Sequence, residues 1–172
     1  LFQKSLAISE EIGDKLLMAF ALNNIGNIHK YQDNYPLALE LFQKSLTILQ
    51  ELGEKAPIAQ AISNLGIIHQ SQGNHTQALE NYHKSLKISE ELNDKVTVAN
   101  TLYNIGIVHK SQGDFTLALE HYHKSLKISE EIGNKAGIAR ALNNIGSVLQ
   151  SQGNYAQSLE HYQKCLTISE EI

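Results

Sequence analysis

Histidine is the residue type in this chain with the widest chemical use, because a neutral imidazole can bind a metal ion and can exchange a proton near neutral pH. The chain has 8 histidines among its 172 residues. His29, His69 and His109 recur at a spacing of 40 positions. One repeat of packed helices would separate neighbours in this series by about 8–10 Å, whereas the histidine nitrogens of a zinc site lie about 2.0–2.1 Å from the ion. We therefore interpret these histidines as helix-packing residues and expect neither a metal nor a cofactor.

No other group of residues has the spacing of a catalytic site. The sequence shows no Gly-rich phosphate loop, no zinc motif and no recognisable Ser/His/Asp set, so we do not expect an enzyme. His121 and His123 are two positions apart and would point to different faces of a helix. The single cysteine, Cys165, cannot form a disulfide within the chain. We expect a buried thiol there, because the other copies of this position hold a small residue, at Ser5, Ser45, Ser85 and Ser125.

Composition limits the classes of partner. A net charge of −4 and a pI near 6.1 argue against general nucleic-acid binding, which needs many Lys and Arg side chains against phosphates. No apolar stretch reaches the ~18 residues of a membrane span, and no signal peptide leads the chain. We expect a cytoplasmic protein without a membrane contact. Because Leu1 falls in mid-repeat, we also expect the sequence to be part of a longer chain.

A repeat of 40 residues must position all of these side chains. Asn24-Ile25-Gly26 returns near positions 64, 104 and 144, and the segment that begins at Glu40 returns at 80, 120 and 160. A fixed period of this length is typical of a solenoid, in which each unit buries its apolar face against its neighbours. We predict one array over residues 1–172, with a half repeat at 1–12 and full repeats that begin near 15, 55, 95 and 135.

Each period contains two helical patterns. Ile58, Ile62, Leu65 and His69 step by four, three and four residues, which follows one face of a helix. Turn residues that tolerate a left-handed backbone (Gly13, Gly53, Asn93 and Gly133) separate the patterns. The resulting prediction is an all-α fold of nine helices near 1–12, 15–31, 35–52, 55–71, 75–92, 95–111, 115–132, 135–151 and 155–172.

Two columns of the repeat carry further expectations. Glycine returns inside the first helix of each repeat, at Gly26, Gly66, Gly106 and Gly146, although it costs about 1 kcal/mol there against alanine. We expect the backbone of another helix to come too close for a Cβ. On the second helix, an i,i+4 ion pair is expected in each copy, at Glu40–Lys44, Glu80–Lys84, Glu120–Lys124 and Glu160–Lys164.

These residues resemble the tetratricopeptide repeat (TPR), a helix–turn–helix unit of about 34 residues. Leu22, Ile25, Gly26, Ala38 and Phe42 stand at its characteristic positions. The chain departs from the pattern in its longer unit, in having no Trp, and in His or Leu at the first aromatic place. The 40-residue variety is similar to the arrays of the Pins/LGN adaptors, kinesin light chains and bacterial multi-repeat proteins. The resemblance implies a right-handed α-solenoid whose first helices line a concave, peptide-binding groove.

By the same resemblance, specific side chains would face that groove. The predicted binding residues are Asn24, Asn27, Asn64, Asn104, Asn144, Tyr31, Tyr103, Lys30, Lys110 and Arg140. Four of them, Asn24, Asn64, Asn104 and Asn144, form what we call the asparagine ladder, whose exposed amides could bond any peptide backbone. The alternative is that these amides bond neighbouring helices or water. The cations are accompanied by no carboxylate, which favours an acidic ligand.

Three functions are compatible with these features. The first is a protein–protein interaction scaffold that binds a partner peptide or segment in the groove. The second is a sensory or regulatory TPR segment of a larger signalling protein that acts by intramolecular docking. The third is self-association through open solenoid ends.

Overall fold

The computed structural model describes residues 2–171, without the side chains of residues 2, 3, 5 and 10. Over this range α-helix is the only regular secondary structure, in nine helices. They are α1 (Phe2–Ile12), α2 (Lys15–Tyr31), α3 (Tyr35–Leu52), α4 (Lys55–Ser71), α5 (His75–Glu91), α6 (Lys95–Ser111), α7 (Phe115–Glu131), α8 (Lys135–Ser151) and α9 (Tyr155–Glu170). The predicted all-α fold is confirmed, and the helix ends agree within two residues. Leu1 and Ile172, the predicted outer ends, lie outside the described residues, as does the side chain of Ser5.

Local sequence explains where the helices begin and end. Asn93, one of the predicted turn residues, has a left-handed backbone with φ 53°. Asp14, Asp94 and Asn134 cap the helices that follow them, since each side chain accepts a hydrogen bond from a backbone N–H of the first turn. Glu54, at the equivalent position, makes no side-chain cap bond. Connections of two or three residues make consecutive helices antiparallel.

The chain divides into two compact units, Leu1–Ile88 and Ser89–Ile172. In the first unit α1 packs on α2, α2 on α3 and α3 on α4. Its core has Phe42 at the centre, with apolar side chains of α3 and α4 around it. The core residues are Ala19, Ala38, Phe42, Leu46, Leu49, Ala61, Ile62, Leu65 and Ile68.

The second unit repeats the same packing. Helix α6 packs on α7, α7 on α8 and α8 on α9, and the two first helices α6 and α8 also touch each other. Tyr122 lies at the centre of the core, beside Ala118 of its own helix and Ile145, Val148 and Leu149 of α8. The contact between α6 and α8 brings predicted groove residues of two repeats together.

The glycine column packs against an aromatic ring, so the prediction of a close helix backbone was wrong. A Cβ on Gly106 would lie 2.6 Å from the Tyr122 ring, and one on Gly66 would lie 2.7 Å from the Tyr82 ring. Both rings belong to the second helix of the same repeat. Glycine is needed because the ring lies where a Cβ of the first helix would otherwise be.

The surface ion pairs follow the repeat only in part. Glu40–Lys44 and Glu120–Lys124 form, each at 2.7 Å. Among the described residues, the predicted pairs Glu80–Lys84 and Glu160–Lys164 do not form. Because exposed pairs contribute only about 0.2–1 kcal/mol, side-chain entropy is enough to leave some of them open. None of the described helices has the length and apolar character needed to cross a membrane.

Candidate functional site

In the first unit, the predicted groove residues of α2 and α4 form a polar cluster. Asn64 is only 9% exposed and its amide donates to the Asn23 side-chain oxygen at 2.9 Å. Asn27 donates to the Asn23 carbonyl at 3.1 Å and accepts from Lys30 at 2.9 Å. The Lys30 ammonium lies 4.8 Å from the centre of the Tyr31 ring, and that ring is 81% exposed. Burial lowers the pKa of Lys30 from its ordinary value.

In the second unit, Arg140 of α8 reaches back over α6. Its guanidinium donates to the Asn100 side-chain oxygen at 2.9 Å and lies 5.2 Å from the centre of the Tyr103 ring. Asn144, one turn further along α8, donates to the Tyr103 hydroxyl at 2.8 Å. The ring and the Asn100 amide restrict the orientation of this guanidinium, and its other N–H groups make no hydrogen bond with the described residues.

Lys110, at the end of α6, reaches forward to α8. Its ammonium donates to the Ser147 hydroxyl at 2.8 Å and to the Asn144 side-chain oxygen at 3.4 Å. We call Asn100, Tyr103, Lys110, Arg140, Asn144 and Ser147 the α6–α8 cation site. Both cations of this site are held by amides, a hydroxyl or a ring, and neither forms an ion pair within the described chain. By contrast, Lys95 and Lys135 at the start of the same two helices pair with Glu131 and Glu171.

The neutral centre of this site is suited to hydrogen bonding. Burial raises the pKa of Tyr103, while Arg140 and the bond from Asn144 oppose that rise, so the phenol is protonated at neutral pH. Because its oxygen accepts from Asn144, its own O–H is free to donate. Asn104 lies half-buried beside it, and its amide makes no hydrogen bond with the described residues.

Lys110 also leaves a buried hydroxyl without a partner. In the second and fourth repeats a glutamine at this position accepts from the tyrosine of the second helix, Tyr82 to Gln70 at 2.7 Å and Tyr162 to Gln150 at 3.1 Å. Tyr122 has no such acceptor, and its fully buried hydroxyl makes no hydrogen bond in the described chain. Burial raises its pKa, and Tyr103 adds to that rise. The signal was present in the sequence, since Lys110 is combined with Tyr122, whereas the other lysine of this column, Lys30, is combined with Phe42, which has no hydroxyl.

The asparagine ladder does not have the uniform exposure expected of it. Asn24 is exposed, and Asn104 is half-buried with a free amide. Asn64 and Asn144 are instead bonded to side chains of the preceding first helix, Asn23 and Tyr103. For these two residues the expectation of unpaired amides was wrong, because the neighbouring first helix lies within hydrogen-bonding reach. The alternative left open by the sequence, bonding to neighbouring helices, describes them.

The histidines lie among helices. His29, His69 and His109 are half-buried, and the His109 ring stacks on His121 with centroids 5.5 Å apart. His123 is exposed and its ring contacts that of His161 rather than that of His121, as the spacing of the two residues predicts. Within the described residues, no three His, Cys, Asp or Glu side chains are grouped so as to hold a metal ion.

Cys165 is half-buried rather than buried, because its helix α9 is the last one in the structure. Its thiol donates to the Ala139 carbonyl at 3.2 Å. The hydroxyls of Ser45 and Ser125 donate to the equivalent carbonyls at 2.8 Å. The column therefore holds a small donor that joins the two helices of one repeat.

Repeated antiparallel helix pairs, with glycine against an aromatic ring, define a protein of the α-solenoid class. The tetratricopeptide repeat profile matches residues 1–51, 57–131 and 97–171. The chain therefore belongs to the tetratricopeptide repeat family.

Solved structures of the same fold come from different proteins. Aspartyl phosphate phosphatase F from Bacillus subtilis is similar with a TM-score of 0.91 and 17% identity, over 99% of this chain and 45% of that one. BtubC from P. vanneervenii is similar with a TM-score of 0.83 and 18% identity, over 99% and 71%. The Rap conjugation gene regulator of the plasmid pLS20, in complex with the Phr* peptide, has a TM-score of 0.77 and 17% identity, over 88% and 43%. The chain thus spans less than half the length of two of these proteins. No curated protein matches the sequence.

Proposed function

We propose that this chain is a protein-interaction module, not an enzyme, whose first helices bind an extended acidic segment of a partner. The proposal rests mainly on the α6–α8 cation site. Lys110 and Arg140 are fixed in place by neutral groups, and no carboxylate of the described residues pairs with either of them. A ligand carboxylate would supply the missing negative charge without displacing an existing ion pair.

The site offers several kinds of contact within one small area. Arg140 can bind a carboxylate with two N–H groups, and Lys110 can bind a second one as a point charge. Between them, the Tyr103 hydroxyl can donate to a peptide carbonyl. The Asn104 amide can both donate and accept. Charged side chains would therefore set the preference for an acidic segment, while the neutral groups would hold its backbone.

The first unit supports a different kind of contact. Phe20 and Tyr31 lie exposed on α2, Phe20 in its first half and Tyr31 at its end beside Lys30. The polar residues Gln60, Asn100 and Arg140 take the place of Phe20 in later repeats. We propose that α2 contacts an apolar or aromatic side chain of a ligand, with Asn24 and Asn27 beside it as polar contacts.

One structural relative is a protein of the same fold that binds a peptide, which supports a peptide as the type of ligand. The pLS20 regulator has the same fold and is in complex with a peptide. It also favours the second candidate, a regulatory segment of a larger protein, because that relative is itself a gene regulator. For this chain the single array over residues 1–172, the cytoplasmic location and self-association stay predictions.

Selection from a library of phage-displayed random peptides tests the proposal. We expect the intact chain to enrich peptides that carry Asp or Glu. The matched double variant Lys110→Gln with Arg140→Gln should lose that enrichment. Glutamine is the natural residue of both columns, at Gln70 and Gln60, so the variant should fold normally.

The control removes two charges elsewhere in the same unit. Lys127 and Lys164 are exposed, and Lys127→Gln with Lys164→Gln should still enrich acidic peptides. Loss of acidic enrichment in the control as well would mean that net charge, not the α6–α8 cation site, selects the ligand. If the wild-type chain enriches no peptide, binding of an extended segment is wrong.

A further inference from the structure

Both cations of the α6–α8 cation site lie in the valley between these two first helices. Lys110 extends from α6, and its ammonium bonds the Ser147 hydroxyl of α8 at 2.8 Å. Arg140 extends from α8 in the opposite direction, and its guanidinium bonds the Asn100 side chain of α6 at 2.9 Å. Because each charged group is held by the facing helix, the line that joins the two charges follows the valley, along the helix axes.

The same contacts limit how far apart the two charges lie along the valley. Asn100 and Arg140 occupy the same place in successive repeats and are bonded to each other, so the two helices run side by side in register. Ser147 lies seven residues after Arg140, and that length of α-helix spans about 10 Å. The ammonium of Lys110 lies at or before the level of Ser147, since it is also 3.4 Å from the Asn144 oxygen. The separation along the valley is therefore about 10 Å or less.

The valley also offers two hydroxyl groups as hydrogen-bond donors. The Tyr103 oxygen accepts from Asn144 and the Ser147 oxygen accepts from Lys110. Neither hydroxyl donates to a residue that the structure describes, so each hydrogen can bond a carbonyl of a ligand. An extended peptide leaves its backbone carbonyl groups unpaired, whereas a helical peptide bonds most of its own. The hydroxyls therefore favour an extended segment that lies along the valley.

Strand geometry then limits the spacing of the acidic residues in such a segment. Successive side chains of an extended chain point to opposite faces, and each residue advances the chain by about 3.3 Å. Acidic residues one or three positions apart therefore cannot both face the site. Residues two positions apart share a face at about 7 Å, within the limit set by the cations. Residues four positions apart also share a face but lie about 13 Å apart, which exceeds that limit.

We infer that the α6–α8 cation site recognises acidic residues at positions i and i+2 of an extended segment that lies along α6 and α8; this inference rests on the function proposed above. One acidic side chain pairs with Arg140 and the other with Lys110. The residue between them points away from the site, so its side chain is not selected. The site thus distinguishes ligands by the spacing of their acidic residues and not by total charge alone.

Peptides of equal charge and composition test the spacing. Each carries two Asp residues in a background of Ser and Thr, with blocked termini and a neutral fluorescent label. The two Asp residues are at i and i+1, i+2, i+3 or i+4, and their short side chains cannot compensate for a wrong spacing. Binding to the intact chain is followed by fluorescence anisotropy at low salt. We expect the i,i+2 peptide to bind about threefold tighter or more than the others, because each of those can pair with only one cation.

Variants of the intact chain assign the preference to the two cations. In Lys110→Gln, and equally in Arg140→Gln, one cation remains and cannot distinguish the spacings, so the i,i+1 and i,i+2 peptides should bind equally. The control variant Lys127→Gln with Lys164→Gln removes two exposed charges elsewhere and should keep the preference. An i,i+2 peptide with Leu between the two Asp residues should bind as tightly as one with Ser, because that side chain points away.

The outcomes separate this inference from the proposed function. Equal affinity for all four spacings would overturn the inference and leave the proposed function in place, because acidic segments would still bind. Tightest binding of the i,i+4 peptide would overturn it in favour of a helical segment, whose residues four apart share a face. A preference for i,i+2 that survives in both single variants would place the segment elsewhere. No binding of any peptide would contradict the proposed function itself.

Discussion

Lys110 changes the contacts of one repeat at the level of a single residue. It bonds to the next first helix, at Ser147 and Asn144, instead of accepting from its own tyrosine as Gln70 and Gln150 do. The consequence is a fixed cation near the surface and an unpaired hydroxyl in the core. At position 110 the hydrogen bond between the two helices of one repeat is therefore absent, and a hydrogen bond to the first helix of the following repeat takes its place.

Removing that hydroxyl should therefore not weaken the fold. A buried hydroxyl without a partner costs about 1–3 kcal/mol, so we predict that Tyr122→Phe leaves the free energy of unfolding unchanged or raises it. Phe42 already occupies this column in the first repeat. The matched variant Tyr82→Phe removes a hydroxyl that does have a partner and should cost about 0.5–1.5 kcal/mol.

Urea unfolding of both variants makes the comparison. The two rings lie in equivalent places beside Gly106 and Gly66, so the two substitutions can be compared directly. The test is which of them lowers the free energy of unfolding more. A larger loss for Tyr122→Phe than for Tyr82→Phe would show that the Tyr122 hydroxyl does have a bonding partner in solution.

His69 couples stability to pH. Burial lowers its pKa below the ordinary value of 6.5, and its Nδ1 is buried without a hydrogen bond to any residue that the structure describes. The folded state therefore disfavours the protonated ring. The contribution of neutral His69 to the free energy of unfolding is complete at a pH above the pKa of this residue in the unfolded chain. It is lost as the pH falls from there through the lower pKa of the folded state.

We predict that His69→Leu reduces the fall in melting temperature between about pH 7.5 and about pH 5. Leucine is the natural residue of this column in the last repeat, at Leu149. The exposed His83 serves as the control through His83→Gln. Thermal unfolding at several pH values measures the effect, and identical pH profiles for His69→Leu and wild type would contradict it.

At the level of the elements, each helix pair is joined by the contact of a glycine with an aromatic ring. We predict that Gly106→Ala destabilises the chain by about 1–2 kcal/mol, even though alanine favours a helix by about 1 kcal/mol. The reason is that the new Cβ would lie 2.6 Å from the Tyr122 ring, which is fully buried.

Gly146→Ala is the matched comparison in the last repeat. Its Cβ would lie 2.9 Å from the ring of Tyr162, which is half-buried and can shift outward. We therefore expect a smaller loss than for Gly106→Ala when both are unfolded in urea. Equal losses would mean that the backbone conformation, rather than the ring, requires glycine.

Helices were predictable from the sequence because their signals are local. Apolar spacing and capping residues such as Asp14 and Asp94 act within a few residues, and their repetition reinforced each assignment. The partner of the glycine column was not predictable, because a missing Cβ says that something is close but not what. Likewise, the bond from Asn64 to Asn23 joins residues 41 apart and depends on side-chain conformations that no pattern records.

At the level of the whole molecule, the family determines the architecture but not the ligand. The predicted groove residues are brought together in two clusters, one in each unit: Asn27, Lys30, Tyr31 and Asn64 near Asn23, and Tyr103, Lys110, Arg140 and Asn144 near Asn100. Asn24 and Asn104 lie on the same helices and form no bond to these clusters. The cations without carboxylates in the second cluster are therefore the feature from which binding specificity should follow.

A double-mutant cycle tests this claim most directly. The affinity of a selected acidic peptide, and of its Glu→Gln form, is measured by isothermal titration calorimetry for wild type and for Lys110→Gln. The same cycle is repeated with Arg140→Gln. We predict a coupling free energy of about 1 kcal/mol or more for one of the two cations, which decreases at high salt. Coupling energies near zero for both cations, with peptide binding retained, would contradict the account.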